Sequence, residues 1–337
     1  MRFVVLWGVL GAVSQAAEAR IQESPEQALF RKCDSQIPWI SDGTVLVDGT
    51  PKSSADPAVD REALLGRALA QARERQRLVL WYCMRVPGTH TYRAAVLDGY
   101  SRVALFTDPG LVDLVVSKFV PLRMAADDRV GAPLGVRFPQ FVEPGLVVLS
   151  PEGRVVHVLD RIRTFDADWV RALLIAVLRK NDAYNAPLGD TAELLIRGGD
   201  DERALPKATA EEKALIYRRA GNYEEVLKLP CGPVEKGIAR LGRGELEPAR
   251  ALLEREASPM AQYYLSAIEW KLGKDPEKIW RRLVQEHPES PWAWQAASNL
   301  VRGPDGTRQG PLTHLFQSFC PAPPQGLPPA TRAPAAD

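Results

Sequence analysis

The thiols and imidazoles, the side chains readiest to act as nucleophiles, soft metal ligands or proton carriers near neutral pH, are few in this sequence and stand far apart. The cysteines are Cys33, Cys83, Cys231 and Cys320, and the histidines are His90, His157, His287 and His314. No two cysteines lie at a metal-binding spacing and the histidines are scattered, so the sequence offers no zinc set and implies no metal or other cofactor. Cys83 falls inside Leu78-Val-Leu-Trp-Tyr-Cys-Met84. A thiol that works alone must be accessible and ionised, whereas Trp81, Tyr82 and Met84 predict burial for this one. His157 lies on a strand, His287 precedes Pro288, and His314 sits near the C-terminal end. Nothing orients any of them toward a carboxylate or a serine, and no hydrolase triad can be assembled.

The stretch with the most to offer follows Cys83. Leu78–Met84 is apolar and free of Gly and Pro, the pattern of a strand buried on both faces. Pro87-Gly88 breaks it, Thr89 stands where a helix cap belongs, and His90 opens a helix. A strand that turns tightly into a helix N-terminus is where α/β folds place ligands. The first amides of that helix are free to donate, which suits an anion or a carbonyl. His90 adds a proton donor with an ordinary pKa near ~6.5. On the plainer alternative, Thr89 only caps the helix and His90 is solvated.

The elements that would hold this loop follow in order. Asp60 begins an amphipathic helix with Leu64, Ala68 and Ala72 on one face. After the loop, a helix runs through about Leu97. Thr107-Asp-Pro-Gly110 precedes a helix over Leu111–Phe119, and Val120–Ala125 is a second apolar strand. Gly135–Pro144 is a loop. Gly145–Ser150 and Val155–Leu159 flank Pro151-Glu-Gly153 as a β-hairpin, and Phe165–Arg179 closes with an amphipathic helix. Residues 20–56 are turn-rich and read as an arm or small hairpin.

This order resembles a thioredoxin-like domain over residues 58–182. The likeness is carried by the buried strand entering a helix at Val86-Pro-Gly-Thr-His90 and by Asp108-Pro-Gly-Leu-Val-Asp-Leu-Val leading to Phe119-Val-Pro-Leu. Pro144 ahead of an apolar strand and the Pro151-Glu-Gly-Arg turn complete it. The resemblance implies an α/β sandwich, a central mixed sheet flanked by helices. It further implies that Pro144 is cis and faces the loop, and that Glu143 beside it pairs with the backbone of an extended peptide. The departure is chemical. Catalytic members carry Cys-x-x-Cys where strand meets helix, and this chain has Pro87-Gly88-Thr89-His90 there. Sliding Cys83 into the first cysteine position gives Cys83-Met-Arg-Val86, which shortens the strand and still lacks a second thiol.

From Leu205 to Val301 the chain is helical, and a helix–turn–helix pattern recurs. It appears at Ala214–Leu227, at Gly237–Leu253 and, more loosely, at Ala267–Trp280. These stretches resemble degenerate tetratricopeptide repeats, although the turn glycines Gly221, Gly244 and Gly273 are spaced by 23 and 29 residues against a family period of ~34. An irregular helical bundle is the alternative. Trp270, Trp280, Trp292 and Trp294 would line a peptide groove or, at such spacings, the helix–helix core. Ser290 and Pro291 cap and open one more helix.

The ends and the composition bound the rest. Met1-Arg2, the apolar run Phe3–Val13 and Ala17-Glu18-Ala19 read as a signal peptide with its cleavage site. Eleven helical residues reach only about 16 Å, roughly half of a hydrocarbon core. The chain is therefore expected to be exported, periplasmic or extracellular, with no integral membrane span after cleavage. In that compartment four cysteines allow three full pairings, and Cys83 alternatively remains a buried free thiol. The 43 basic and 42 acidic residues among 337 give no bias toward nucleic acid.

The expected organisation is 1–19 signal peptide, 20–57 arm, 58–182 thioredoxin-like domain, 183–204 linker, 205–302 all-α helical-hairpin repeat domain, and 303–337 a Pro-rich, largely disordered tail. The expected function is non-catalytic binding of a polypeptide partner in the cell envelope, through Pro87, Gly88, Thr89, His90, Glu143 and Pro144 and through the helical repeats. The alternatives are a thiol-dependent oxidoreductase or peroxidase using Cys83, with Cys33 brought near by the arm, and a purely structural role.

Overall fold

The computed structural model describes residues 25–41, 60–84, 92–125, 128–136, 143–162 and 164–301, with Gly310 and Leu312. A five-stranded mixed sheet is built from β1 (Ile40–Ser41), β2 (Leu78–Met84), β3 (Phe119–Ala125), β4 (Gly145–Leu149) and β5 (Val155–Leu159), in the order β1-β3-β2-β4-β5. β1, β3 and β2 run parallel, and β4 and β5 join antiparallel beyond β2.

All seven residues of β2 are buried, as its unbroken apolar run predicts. Strand alternation sends them to opposite faces. Leu78, Leu80, Tyr82 and Met84 join Phe119, Leu146 and Val148 in one core. Over that face lie α3 (Tyr92–Tyr100), α4 (Pro109–Lys118) and α6 (Ala167–Arg179). Val79, Trp81 and Cys83 face the other way, against Leu64, Ala68 and Ala72 of α2 (Arg61–Arg75). Each large side chain buried this way stabilises the sheet by roughly 1.5–3 kcal/mol.

Within the turn-rich arm the described residues form α1 (Pro25–Asp34) and β1. Of the two readings, an arm or a small hairpin, the described residues give a helix and a parallel edge strand, anchored by buried Ile37 and by Trp39, whose ring meets those of Tyr82 and Phe106 at 6.1 and 5.1 Å. α3 is longer than its pattern implies and passes into a π-helical turn at Ser101–Leu105. A short helix α5 (Asp128–Gly131) follows β3.

The segment expected as a linker carries α7 (Ala192–Arg197) and α8 (Asp201–Ala204), with Leu195, Ile196 and Ala204 buried. Arg171 of α6 donates two 3.0 Å hydrogen bonds to Asp201 and another to the Ile196 carbonyl. That fork fastens the segment to the sheet unit. Helical hairpins follow: α9 (Ala210–Arg219) with α10 (Tyr223–Lys228), α11 (Pro233–Gly242) with α12 (Leu246–Leu253), and α13 (Pro259–Lys271) with α14 (Glu277–Glu286), then α15 (Pro291–Leu300). A left-handed glycine, Gly221, Gly244 or Gly273, makes each hairpin turn, with φ of 72°, 79° and 77°. Glycine adopts that conformation without the steric penalty of a Cβ.

The sheet unit and the hairpins pack directly on each other. Leu29, Phe30 and Cys33 of α1 cluster with Val103 of the π turn and Trp294 of α15, and Lys32 pairs with Glu289 at 2.6 Å. Among the described residues no helix is long and apolar enough to cross a membrane.

Candidate functional site

Cys83 lies in the middle of the sheet, opposite Met124 on β3 and Gly145 on β4, with no exposed surface. Burial pushes its thiol well above the ordinary range. Cys33 is equally enclosed, raised to about 12 by burial and then by the charge of Asp34. Cys33, Cys83 and Cys231 are all free and buried, so Cys33 and Cys83 do not meet as a redox pair. Cys320 lies outside the described residues, as do Pro87, Gly88, Thr89 and His90.

Glu143 is half-buried and Pro144 buried at the start of β4. The expected cis bond is corrected here: no cis peptide occurs among the described residues, and the Glu143–Pro144 bond is trans. The Pro144 carbonyl accepts the Ile162 N–H at 2.8 Å, carrying the β4–β5 pairing outward and keeping the segment extended. Of the four tryptophans considered for a groove, Trp280 and Trp294 are core residues. Their indole N–H groups donate to Ser266 Oγ at 2.7 Å and to the Pro288 carbonyl at 2.8 Å. Trp270 and Trp292 are partly buried against the cluster that holds Trp280. Among the described residues no group of three or more His, Cys, Asp or Glu side chains is placed to hold a metal ion.

A charged network that the sequence reading missed lies near the C-terminal ends of β2 and β3. Tyr82 donates to Asp98 at 2.6 Å, and its registered neighbour Arg123 contacts Asp34 at 2.7 Å and Met84 Sδ at 3.0 Å. Arg102 grips the same carboxylate with bonds of 2.9 and 2.6 Å and lies 4.1 Å over the Phe30 ring. Burial pushes the Asp34 carboxyl up, but Arg123's charge and Arg102's hydrogen bonds outweigh it and hold the acid below its usual range. Arg123 Nη2 and Asp98 Oδ2 are buried without a hydrogen-bond partner. The sequence signal was a lone Arg in an apolar strand.

The second feature is a cavity of about 260 Å³ at the seam between the two units. The N-termini of α4 and α6 form one wall, and α9, α11, α13 and α15 form the other. Asp108 caps α4 by accepting the Leu111 N–H at 2.9 Å. Asp166 caps α6, accepting from the Asp168 and Trp169 amides at 3.0 and 3.3 Å. Asp168 reaches across to Arg218 at 3.2 Å and Arg219 at 3.5 Å, and Arg218 also holds Glu235 at 2.8 Å. Gly110 gives Arg219 its place, since a Cβ there would collide with the guanidinium. Burial and then the charge of Asp168 raise both Asp108 and Asp166, the latter to about 7. Phe165, Met260, Tyr263, Tyr264 and Trp292 supply the apolar surface.

Compared with known proteins, the chain matches no family model, no curated protein and no solved structure. Function is therefore read from the burial of Cys83 and from the chain's own pattern.

Proposed function

We propose that the chain is an exported, non-catalytic binding protein: a thioredoxin-like module without a redox pair, joined to tetratricopeptide-like helical hairpins, that holds a polypeptide partner in the cell envelope. The sheet order, with three parallel strands and an antiparallel hairpin beyond β2, supports the thioredoxin-like reading. The observation that carries the non-catalytic reading is the position of Cys83. Its side chain faces α2 from the sheet interior, so thiolate attack on a disulfide or peroxide would require the sheet to open. The binding surface in this reading comprises Pro87, Gly88, Thr89 and His90 with Glu143 and Pro144, together with the helical hairpins.

Two measurements test the reading. Photo-crosslinking from position 89 in the native envelope identifies the partner, and the purified pair is then titrated. The double substitution Thr89→Arg with Glu143→Arg is expected to weaken that complex about tenfold, ~1.4 kcal/mol; unchanged affinity in a folded double variant removes the loop. Insulin reduction and peroxide turnover are expected to stay at background for wild type. Turnover that disappears in Cys83→Ala replaces the proposal with the thiol-dependent one.

A further inference from the structure

The seam cavity carries a charge imbalance that its own residues leave open. Asp108, Asp166, Asp168 and Glu235 face Arg218 and Arg219. Arg218 is engaged by Asp168 and Glu235, and Arg219 by Asp168. Asp108 and Asp166 accept only backbone N–H groups of their own helices, and among the described residues neither has an ion-pair partner. The two helix N-termini, each about half a positive charge, offset only part of the deficit.

The opposite wall is aromatic. Trp292 lies against Tyr263 and Tyr264 with ring centroids 5.5 and 5.4 Å apart, and Phe165 closes one side. Among the described residues no group of three or more His, Cys, Asp or Glu is placed to hold a metal ion, and aromatic faces give a hard divalent ion none of the oxygen shell it wants. Rings do attract an organic cation through their faces and cover its apolar stem. The volume, about 260 Å³, falls below the ~300–1,000 Å³ of sites for drug-sized ligands and suits one side-chain-sized group. Arg219 Nε makes no hydrogen bond and meets Asp168 only at 3.5 Å, but four carboxyl groups against two guanidiniums disfavour an anion here.

We propose that this cavity binds an organic cation, an ammonium or guanidinium on a short aliphatic stem, with the charge held by Asp108 and Asp166 and the stem against Trp292 and Tyr264. This site does not depend on the polypeptide-binding surface proposed above. The group has two natural sources, a lysine or arginine side chain of a polypeptide or a free small amine.

Binding is coupled to protonation. Asp166 is faced by Asp108 from α4, by Asp168 on its own helix, by Arg218 and Arg219 from α9, by Glu235 from α11, and by Tyr263 and Tyr264 from α13. It retains a proton up to about pH 7, so an entering cation must drive that proton out. Affinity therefore rises with pH as the carboxylate forms.

Calorimetric titration of the full chain tests this with Nα-acetyl-lysine amide, Nα-acetyl-arginine amide and the uncharged Nα-acetyl-norleucine amide. The two cations are expected to bind and norleucine amide not, with affinity several-fold higher at pH 8 than at pH 6. Repeating the titration near pH 7 in phosphate and in MOPS, buffers of different ionisation enthalpy that carry no primary ammonium, needs no variant and reads the released proton directly. Asp108→Asn with Asp166→Asn retains both caps and should weaken binding about tenfold or more. A lysine-centred peptide that binds more tightly than acetyl-lysine amide points to a polypeptide source, and putrescine binding as well as the peptide points to a free amine; both support cation recognition. Equal binding of norleucine amide, undiminished affinity in the folded double variant, or no saturable heat with either cation overturns the proposal.

Discussion

Replacing Asp166 by Asn asks one side chain to report on the seam. The carboxyl caps α6 through the Asp168 and Trp169 amides, and Asn caps a helix about as well as Asp. The substitution therefore removes the ionisation and leaves the cap. In the unfolded chain this acid titrates near ~3.9; in the folded one, burial and the charge of Asp168 lift it to about 7. Three units at ~1.36 kcal/mol each set a ceiling of ~4 kcal/mol, and solvent access to a half-buried carboxyl reduces this to about 2 kcal/mol. The sign follows from proton binding. Between pH 4 and 7 the folded chain holds a proton that the unfolded chain has released, so wild-type stability falls as pH rises through that window and levels off above it. Asp166→Asn should match wild type near pH 4 and exceed it by about 2 kcal/mol at pH 8. Urea unfolding followed by circular dichroism at pH 4, 6 and 8 measures the difference. A variant less stable than wild type at pH 8, or a difference that does not grow with pH, refutes the reasoning.

Arg123→Met leaves Asp34 and Asp98 buried with fewer counter-charges and should cost about 3–5 kcal/mol at neutral pH. The deficit should shrink in acid, because an acid held below its ordinary range stabilises only while ionised; urea midpoints that stay equally depressed from pH 7 to 3 exclude that origin. Gly244→Ala places a Cβ at φ 79° with nothing near it, so the loss, roughly 1–2 kcal/mol, is backbone strain alone. Gly66→Ala, in the middle of α2 and equally uncrowded, should instead gain up to ~1 kcal/mol; thermal melts showing both changes with the same sign would contradict the turn assignment.

The sheet was legible because its signals are local. The seven-residue run of β2 declares burial on both faces without reference to any partner, and the hairpin of β4 and β5 is punctuated by Pro151 and Gly153, the latter at φ 87°. Asp108 ahead of Pro109 announced the start of α4. β1 was not legible: two residues carry no period, and what fixes them is parallel pairing with Leu122 and Arg123, far along the chain. The trans bond at Pro144 escaped for a related reason, since the Ile162 amide that holds the segment extended belongs to the far end of the hairpin.

The two polar sites were harder still, because a buried charge makes sense only beside its counter-charge. Arg123 in an apolar strand and Asp98 in an apolar helix are visible anomalies, yet their partners lie on α1 and β2 and only the fold brings them together. At the seam each residue reads as ordinary alone: Asp108 and Asp166 as caps, Arg218-Arg219 as a solvated helix end. Packing turns those caps into buried acids with raised proton affinity and no ion-pair partner of their own among the described residues, because the arginines nearby pair with Asp168 and Glu235. The charge state of this cavity is thus a property of how the sheet unit meets the hairpins. A change on α4 that displaces the Arg219 guanidinium, such as Gly110→Ala, therefore acts on Asp108 and Asp168 without touching either.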